Sequence, residues 1–196
     1  MLRLEGGAYF LLDRHLRRMQ ESAIYFGFPF DRDLLDAELD GYRQGQRSGS
    51  FHARLLLNQN GSVTMIGAAL GTIGTLRAGL AQTPVNSSSR WLYHKTTHRG
   101  VYEPARAERP DTDETLLFNE RGELTEFTIG NLVLKLDGRF YTPPIASGLL
   151  PSILRGELLD QHVLSERTLT VDDPSRAEGV WLINSLRGWV PVELFP

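Results

Sequence analysis

Only two lysines, Lys95 and Lys135, stand among the 21 Lys and Arg residues of this chain. Lys95 lies in Trp91-Leu92-Tyr93-His94-Lys95-Thr96-Thr97-His98-Arg99, between two histidines and close to an arginine. Positive neighbours and burial both lower a lysine pKa, and a lysine so treated is a usable amine nucleophile at neutral pH. The competing reading is a surface lysine, and local charge does not decide between the two. Lys135, in Leu132-Val133-Leu134-Lys135-Leu136 beside a turn, reads as an exposed cation on a strand. Other chemistries find less support. The absence of cysteine excludes disulfides, thiolate metal sites and a cysteine nucleophile. Of five histidines, His94 and His98 form the closest pair, but they lack the acidic partner of an HExxH metal site. No G-x-S-x-G elbow offers a serine nucleophile. Arg14, Arg17 and Arg18 are diluted by acidic residues in a chain of net charge -3, which reads as a solvated helix face and not a nucleic-acid stripe.

The elements that must position these residues divide into two halves. A length of 196 residues, 41% hydrophobic and 23% charged, suits one large domain or two small ones. The apolar run 8–12 reads as a strand, after which Asp13 is expected to cap a helix over 14–26. In that helix Leu16, Met19, Ala23 and Phe26 recur at three- and four-residue steps and mark one buried face. Asp31 is expected to cap a second helix over 33–44. Strands over 51–57 and 62–66 form a hairpin about Asn58-Gln59-Asn60-Gly61, and 76–81 gives another strand. The polar stretch 82–89 is the best candidate for a linker. Beyond it, 115–118 and 123–127 read as one hairpin, and 131–136 and 139–142 as another, with Asp137-Gly138 as the favoured turn. A helix is expected from Pro151 to 159, since proline suits the first helical position, and 179–184 is a last apolar strand. The fold class is therefore a two-domain α+β architecture, with a small α/β domain over 1–83, a linker at 84–87 and a larger strand-rich domain over 88–196. Nothing resembles a signal peptide, and no apolar run nears the roughly 18 residues of a membrane span, so the cytoplasm is the expected compartment.

Three later segments accompany Lys95-x-x-x-Arg99. They are Thr125-Glu126-Phe127-Thr128-Ile129-Gly130-Asn131-Leu132, Thr142-Pro143-Pro144, and Gly148-Leu149-Leu150-Pro151-Ser152-Ile153-Leu154-Arg155. With His15-Leu16-Arg17-Arg18-Met19 upstream and Asn184-Ser185-Leu186-Arg187-Gly188-Trp189 downstream, the set resembles the fold-type IV, class IV aminotransferase family of pyridoxal 5'-phosphate (PLP) enzymes over nearly the whole chain. Within that family the resemblance is nearest to the 4-amino-4-deoxychorismate lyases, including the lyase domain fused in some bacteria behind aminodeoxychorismate synthase component I. It implies a D-amino acid aminotransferase-like fold and a role for each motif residue. Lys95 matches the lysine that joins the cofactor aldehyde and then moves protons as base and acid. Glu126 matches the glutamate facing the pyridine nitrogen, whose carboxylate keeps that nitrogen protonated. Arg18 matches the arginine that reaches the phosphate, with Arg17 as its solvent-facing neighbour. Ile153 and Leu154 would offer backbone amides to the phosphate at a helix N-terminus, and Asn184 and Ser185 would complete the cofactor contacts. Arg99, Thr128 and Arg187 are candidates for substrate recognition, a structural role for Arg99 being equally open. Tyr102 and Trp189 either line the site or pack.

The resemblance further implies a homodimer acting on a small-molecule amine, with pyruvate and 4-aminobenzoate released for folate synthesis. The synthase component would be a functional partner, and neither nucleic acid nor membrane is expected. The same apparatus serves transamination of branched-chain or D-amino acids in other members, and the sequence separates these poorly. Two departures stand out. Family members carry a strand and loop ahead of the segment matching Leu2-Arg3-Leu4-Glu5, whereas this chain begins at Met1. A shortened, non-catalytic homologue that keeps the fold is therefore a third expectation. Ser152 stands where the family commonly has glycine.

Overall fold

The computed structural model describes residues 1–46 and 48–195. They form two compact units, Met1–Thr72 and the chain from Ile73 onward. The first unit runs β1 (Leu2–Glu5), β2 (Ala8–Tyr9), α1 (Leu12–Phe26), α2 (Arg32–Gln44), β3 (Ser50–Leu57) and β4 (Val63–Ala69). Its antiparallel sheet has the order β2-β1-β3-β4, and Leu2, Leu16, Leu35, Leu39, Ala53 and Leu55 make its core.

The strand expected over 8–12 stops after two residues. Leu11 takes a left-handed backbone (φ 52°) and α1 begins at Leu12, so Asp13 sits inside the first turn and makes no cap. From there its charge still favours the helix dipole. Asp31 does cap α2 as expected, accepting from the Leu34 amide at 3.1 Å. Buried Leu35 and Leu39 point α2 inward, and its Tyr42 lies against Gly67 of β4. A Cβ at Gly67 would fall 1.9 Å from the Tyr42 hydroxyl and 2.6 Å from the His52 carbonyl. Gly67→Ala is accordingly expected to cost about 1–3 kcal/mol of stability through overpacking, read by chemical denaturation.

The second unit contains β5 (Leu76–Leu80), α3 (Tyr102–Ala107), β6 (Glu114–Phe118), β7 (Leu124–Phe127), β8 (Gly130–Leu136), β9 (Arg139–Thr142), α4 (Ile153–Asp160), β10 (Ser165–Glu166), β11 (Gly179–Asn184) and β12 (Gly188–Phe195). Strand order is β10-β9-β8-β11-β12-β5-β6-β7, and β7 pairs back onto β8. Six strands thus close into a barrel, which removes the open edges of that ring. Leu132, Leu134 and Leu136 of β8 pack with Phe127, Leu182, Val190 and Val192 inside it. Closure explains Gly130: a Cβ there would meet Leu182 at 2.5 Å and the Ile183 carbonyl at 2.7 Å.

The division between units corrects the sequence expectation. β5 lies between β12 and β6, so the boundary precedes it. The 84–87 segment is no linker. Val85 is buried and its amide donates to the Phe118 carbonyl at 2.8 Å, while Ser87 donates through both its amide and its hydroxyl to Glu120, at 2.9 and 2.6 Å. The Asp137-Gly138 hairpin forms as expected, both residues having positive φ (51° and 73°). Pro151, however, precedes α4. Ser152 is the cap, accepting from the Arg155 amide at 3.4 Å, because a serine hydroxyl can satisfy an orphan amide that proline leaves untouched. Among the described residues no helix is long and apolar enough to cross a membrane.

Candidate active site

Lys95 sits on the loop between a 3-10 turn at Arg90–Leu92 and α3. That loop is pinned at both ends. Leu92 is fully buried and the Tyr93 hydroxyl donates to the Ser87 carbonyl at 2.6 Å on one side. On the other, Tyr102 is buried with Ala105 against Ala81 and Leu117. Between them the Trp91 and His98 rings stack at 4.2 Å. Lys135 has the surface role expected of it, paired with Glu178 at 2.7 Å beside the hairpin turn.

Glu126, at the end of β7, lies opposite Asn131 of β8 and is 3% exposed. Its Oε1 accepts from the Leu150 amide at 3.0 Å and the Tyr102 hydroxyl at 2.9 Å. Its Oε2 accepts the longer 3.2 Å bond from Asn131 Nδ2, which also donates to the Leu150 carbonyl at 3.0 Å. Burial pushes this carboxyl up, to about 7, against the opposing pull of the Leu150 amide, the Tyr102 phenol and the charges of Lys95 and Arg99. A carboxylate kept dry in this way is stabilised by any cation that shares its site.

Leu150 also links this carboxylate to α4, since only Pro151 and Ser152 separate them. The Ser152 hydroxyl takes the Arg155 amide and the Ser152 carbonyl takes the Gly156 amide at 3.0 Å. The amides of Ile153 and Leu154 lie in the first turn, at the positive end of the helix, where amides have no intrahelical acceptor and can serve an oxyanion or phosphate. Ser185 lies at the end of β11, the strand on which α4 packs. It is buried, and its hydroxyl is a suitable donor to an anion.

Two of the expected ligand groups are engaged within the fold. Asn184 has its side chain spent within the fold: Oδ1 accepts from the Leu186 and Arg187 amides at 3.1 and 2.8 Å, and Nδ2 donates to the Ile129 carbonyl at 3.3 Å. It builds the turn that presents Ser185. Thr128 is buried with its hydroxyl on Glu114 Oε1 at 2.6 Å, so that hydroxyl is engaged in the framework. Arg99, whose role the sequence leaves open, donates to the Thr128 carbonyl at 2.9 Å and lies 4.4 Å above the Tyr102 ring. Arg187 is half-buried beside the same turn. Arg18 belongs to the first unit, half-buried on α1 near His15, whose imidazole is pushed down to about 3 by burial and then by the Arg18 charge. Sequence reasoning assigned no role to Asn131 or the Leu150 amide and left Tyr102 undecided. Asn131 lies inside the quoted Glu126 motif, which was the available signal.

The donors in the second unit fit PLP. The first-turn amides of α4 and a buried hydroxyl suit a phosphate, a buried carboxylate suits a protonated ring nitrogen, and Lys95 acts electrostatically on that carboxylate. Comparison with known proteins agrees. The model of the amino-transferase class IV family matches residues 1–195. A crystal structure of a proposed amino-acid aminotransferase from Mesorhizobium loti is 36% identical, with a TM-score of 0.92, covering 99% of this chain and 97% of that one. A proposed aminodeoxychorismate lyase of Schizosaccharomyces pombe is 29% identical across 94% of this chain and 84% of its own length. A branched-chain-amino-acid aminotransferase, so named as probable, from Thermotoga maritima is 27% identical across 97% of this chain and 74% of its own. The chain belongs to the class IV aminotransferase family.

Proposed function

We propose that this class IV aminotransferase-family chain is a PLP-dependent 4-amino-4-deoxychorismate lyase, releasing pyruvate and 4-aminobenzoate. The observation that carries the reading is Glu126, a buried carboxylate held by three donors with the Lys95 charge acting on it. Similarity to the S. pombe protein supports the lyase branch. When bound, PLP supplies an electron sink conjugated to the substrate amine. The chain supplies the rest. The Ile153 and Leu154 amides and the Ser185 hydroxyl would hold the phosphate, and Glu126 would keep the proton on the ring nitrogen. The Lys95 amine would take the proton from the substrate ring carbon. As the carbon–oxygen bond to the enolpyruvyl group breaks, a proton returned to that group gives pyruvate, and the ring becomes aromatic. The same reading carries a homodimer, which sedimentation checks.

The test is an assay of purified protein loaded with PLP. Pyruvate and 4-aminobenzoate should appear in equal amounts from 4-amino-4-deoxychorismate without any keto-acid acceptor. Keto-acid formation from branched-chain or D-amino acids with no pyruvate release would replace the lyase reading by transamination, in line with the M. loti and T. maritima relatives. PLP binding with neither product would favour the non-catalytic homologue.

A further inference from the structure

We infer that Tyr102, held by Arg99, is a positioning residue that keeps the Glu126 carboxylate ionised and turned so that Oε2 is the oxygen left to face the cofactor ring. The last clause rests on the PLP reading above, while the first two concern the chain alone. Tyr102 opens α3, and its hydroxyl donates to Glu126 Oε1 at 2.9 Å. The Leu150 amide reaches that same oxygen at 3.0 Å. Oε1 thus takes two donors, one from α3 and one from the segment before α4, and these fix the carboxylate plane. Among the described residues Oε2 takes only the 3.2 Å bond from Asn131 and so retains acceptor capacity.

The phenol is itself gripped. Its ring lies under the Arg99 guanidinium at 4.4 Å, and its amide donates to the Arg99 carbonyl at 2.9 Å. Arg99 is anchored by donating to the Thr128 carbonyl at 2.9 Å, and Thr128 in turn by its hydroxyl on Glu114 Oε1, which also accepts from the Thr115 amide at 2.8 Å. A line of bonded groups therefore runs from the start of β6 to the site. Burial, and then the Glu126 charge, push the Tyr102 phenol far up, so it keeps its proton and acts only as donor. A hydrogen bond given to a carboxylate favours its ionised form. The groups facing Glu126 are Lys95 and Arg99 from the loop, Tyr102 from α3, Asn131 from β8 and the Leu150 amide. Among the side chains, Tyr102 alone can be relieved of its bond by deleting one oxygen.

The test titrates Glu126 in protein without PLP, by infrared absorption of its protonated carboxyl, with Glu126→Gln identifying the band. Tyr102→Phe is expected to raise the midpoint by about one pH unit, the size of one charge-assisted hydrogen bond. Arg99→Met should raise it as well, and Arg99→Lys should recover part of that shift. A folded Tyr102→Phe protein with an unchanged midpoint would show that Tyr102 merely packs and overturn the inference. If Tyr102→Phe does not fold, the Arg99 pair decides, an unmoved midpoint in folded Arg99→Met refuting the clamp. PLP carrying nitrogen-15 in its ring then tests the last clause: the ring nitrogen should be protonated in the wild type and less so in Tyr102→Phe. Failure of the wild type to bind PLP would remove the cofactor reading while leaving the carboxyl titration to judge the rest.

Discussion

Lys95→Ala is expected to lower turnover by about 10²–10⁴-fold or more, the usual contribution of a positioned proton-transfer group, and to abolish the visible absorbance that PLP gains when joined to a lysine. PLP should still associate, because the Ile153 and Leu154 amides and the Ser185 hydroxyl are untouched by the change. Lys95→Arg separates two roles of the side chain. Arginine keeps the positive charge that acts on Glu126, yet it cannot deprotonate in a protein. It should therefore preserve the Glu126 environment and be as inactive as alanine. Lys135→Ala is the control. Its ammonium pairs with Glu178 on a partly exposed surface, where such pairs contribute about 0–1 kcal/mol, and neither turnover nor the visible band should move. Equal losses in the two lysine variants would refute the assignment of Lys95.

What the sequence revealed of this molecule was largely local. The Asp31 cap and the Asp137-Gly138 hairpin depend on residues within four positions of one another, and both formed where expected. The start of α4 moved by two residues because a cap hydroxyl outweighs a favourable proline φ. Non-local events were out of reach. Nothing in 76–80 announces that this strand will sit between β12 and β6, and the barrel is closed by a pairing whose steric requirement is visible only at Gly130. In the site, Lys95 and Glu126 could be found because their types and order repeat a known pattern. Tyr102 could not be given a role, since its hydroxyl partner is 24 residues away. Asn184 and Thr128 carry groups suited to ligands, and only the bonds they make inside the fold show that those groups are already occupied.

Glu126 carries the second large effect, and two substitutions divide it into stability and catalysis. Glu126→Ala leaves the Leu150 amide and the Tyr102 phenol buried without their acceptor, and Asn131 Nδ2 keeps only its bond to the Leu150 carbonyl. At about 1–3 kcal/mol for each unsatisfied group, a loss of several kcal/mol is expected in denaturant unfolding. Glu126→Gln keeps a carbonyl oxygen for the first two donors. Its new amide faces Asn131 Nδ2 donor to donor, and turning Asn131 over would set Oδ1 against the Leu150 carbonyl that Nδ2 now serves, so one bond is lost either way. A stability loss of about 1–3 kcal/mol, smaller than that of alanine, is expected, while turnover falls by about 10²–10³-fold, as for loss of one preorganised electrostatic contact. The pH dependence distinguishes the variants further. In the folded protein without PLP the carboxyl lies at about 7, against an ordinary value of 4.5. Between those values the folded state holds a proton that the unfolded chain has released, so the contribution is fully present below 4.5, falls as pH rises and is lost above about 7. Wild type should therefore lose stability relative to Glu126→Gln across this window. PLP should reduce that loss in the wild type, since a protonated ring nitrogen stabilises the ionised carboxylate, and it should have no such effect on Glu126→Gln.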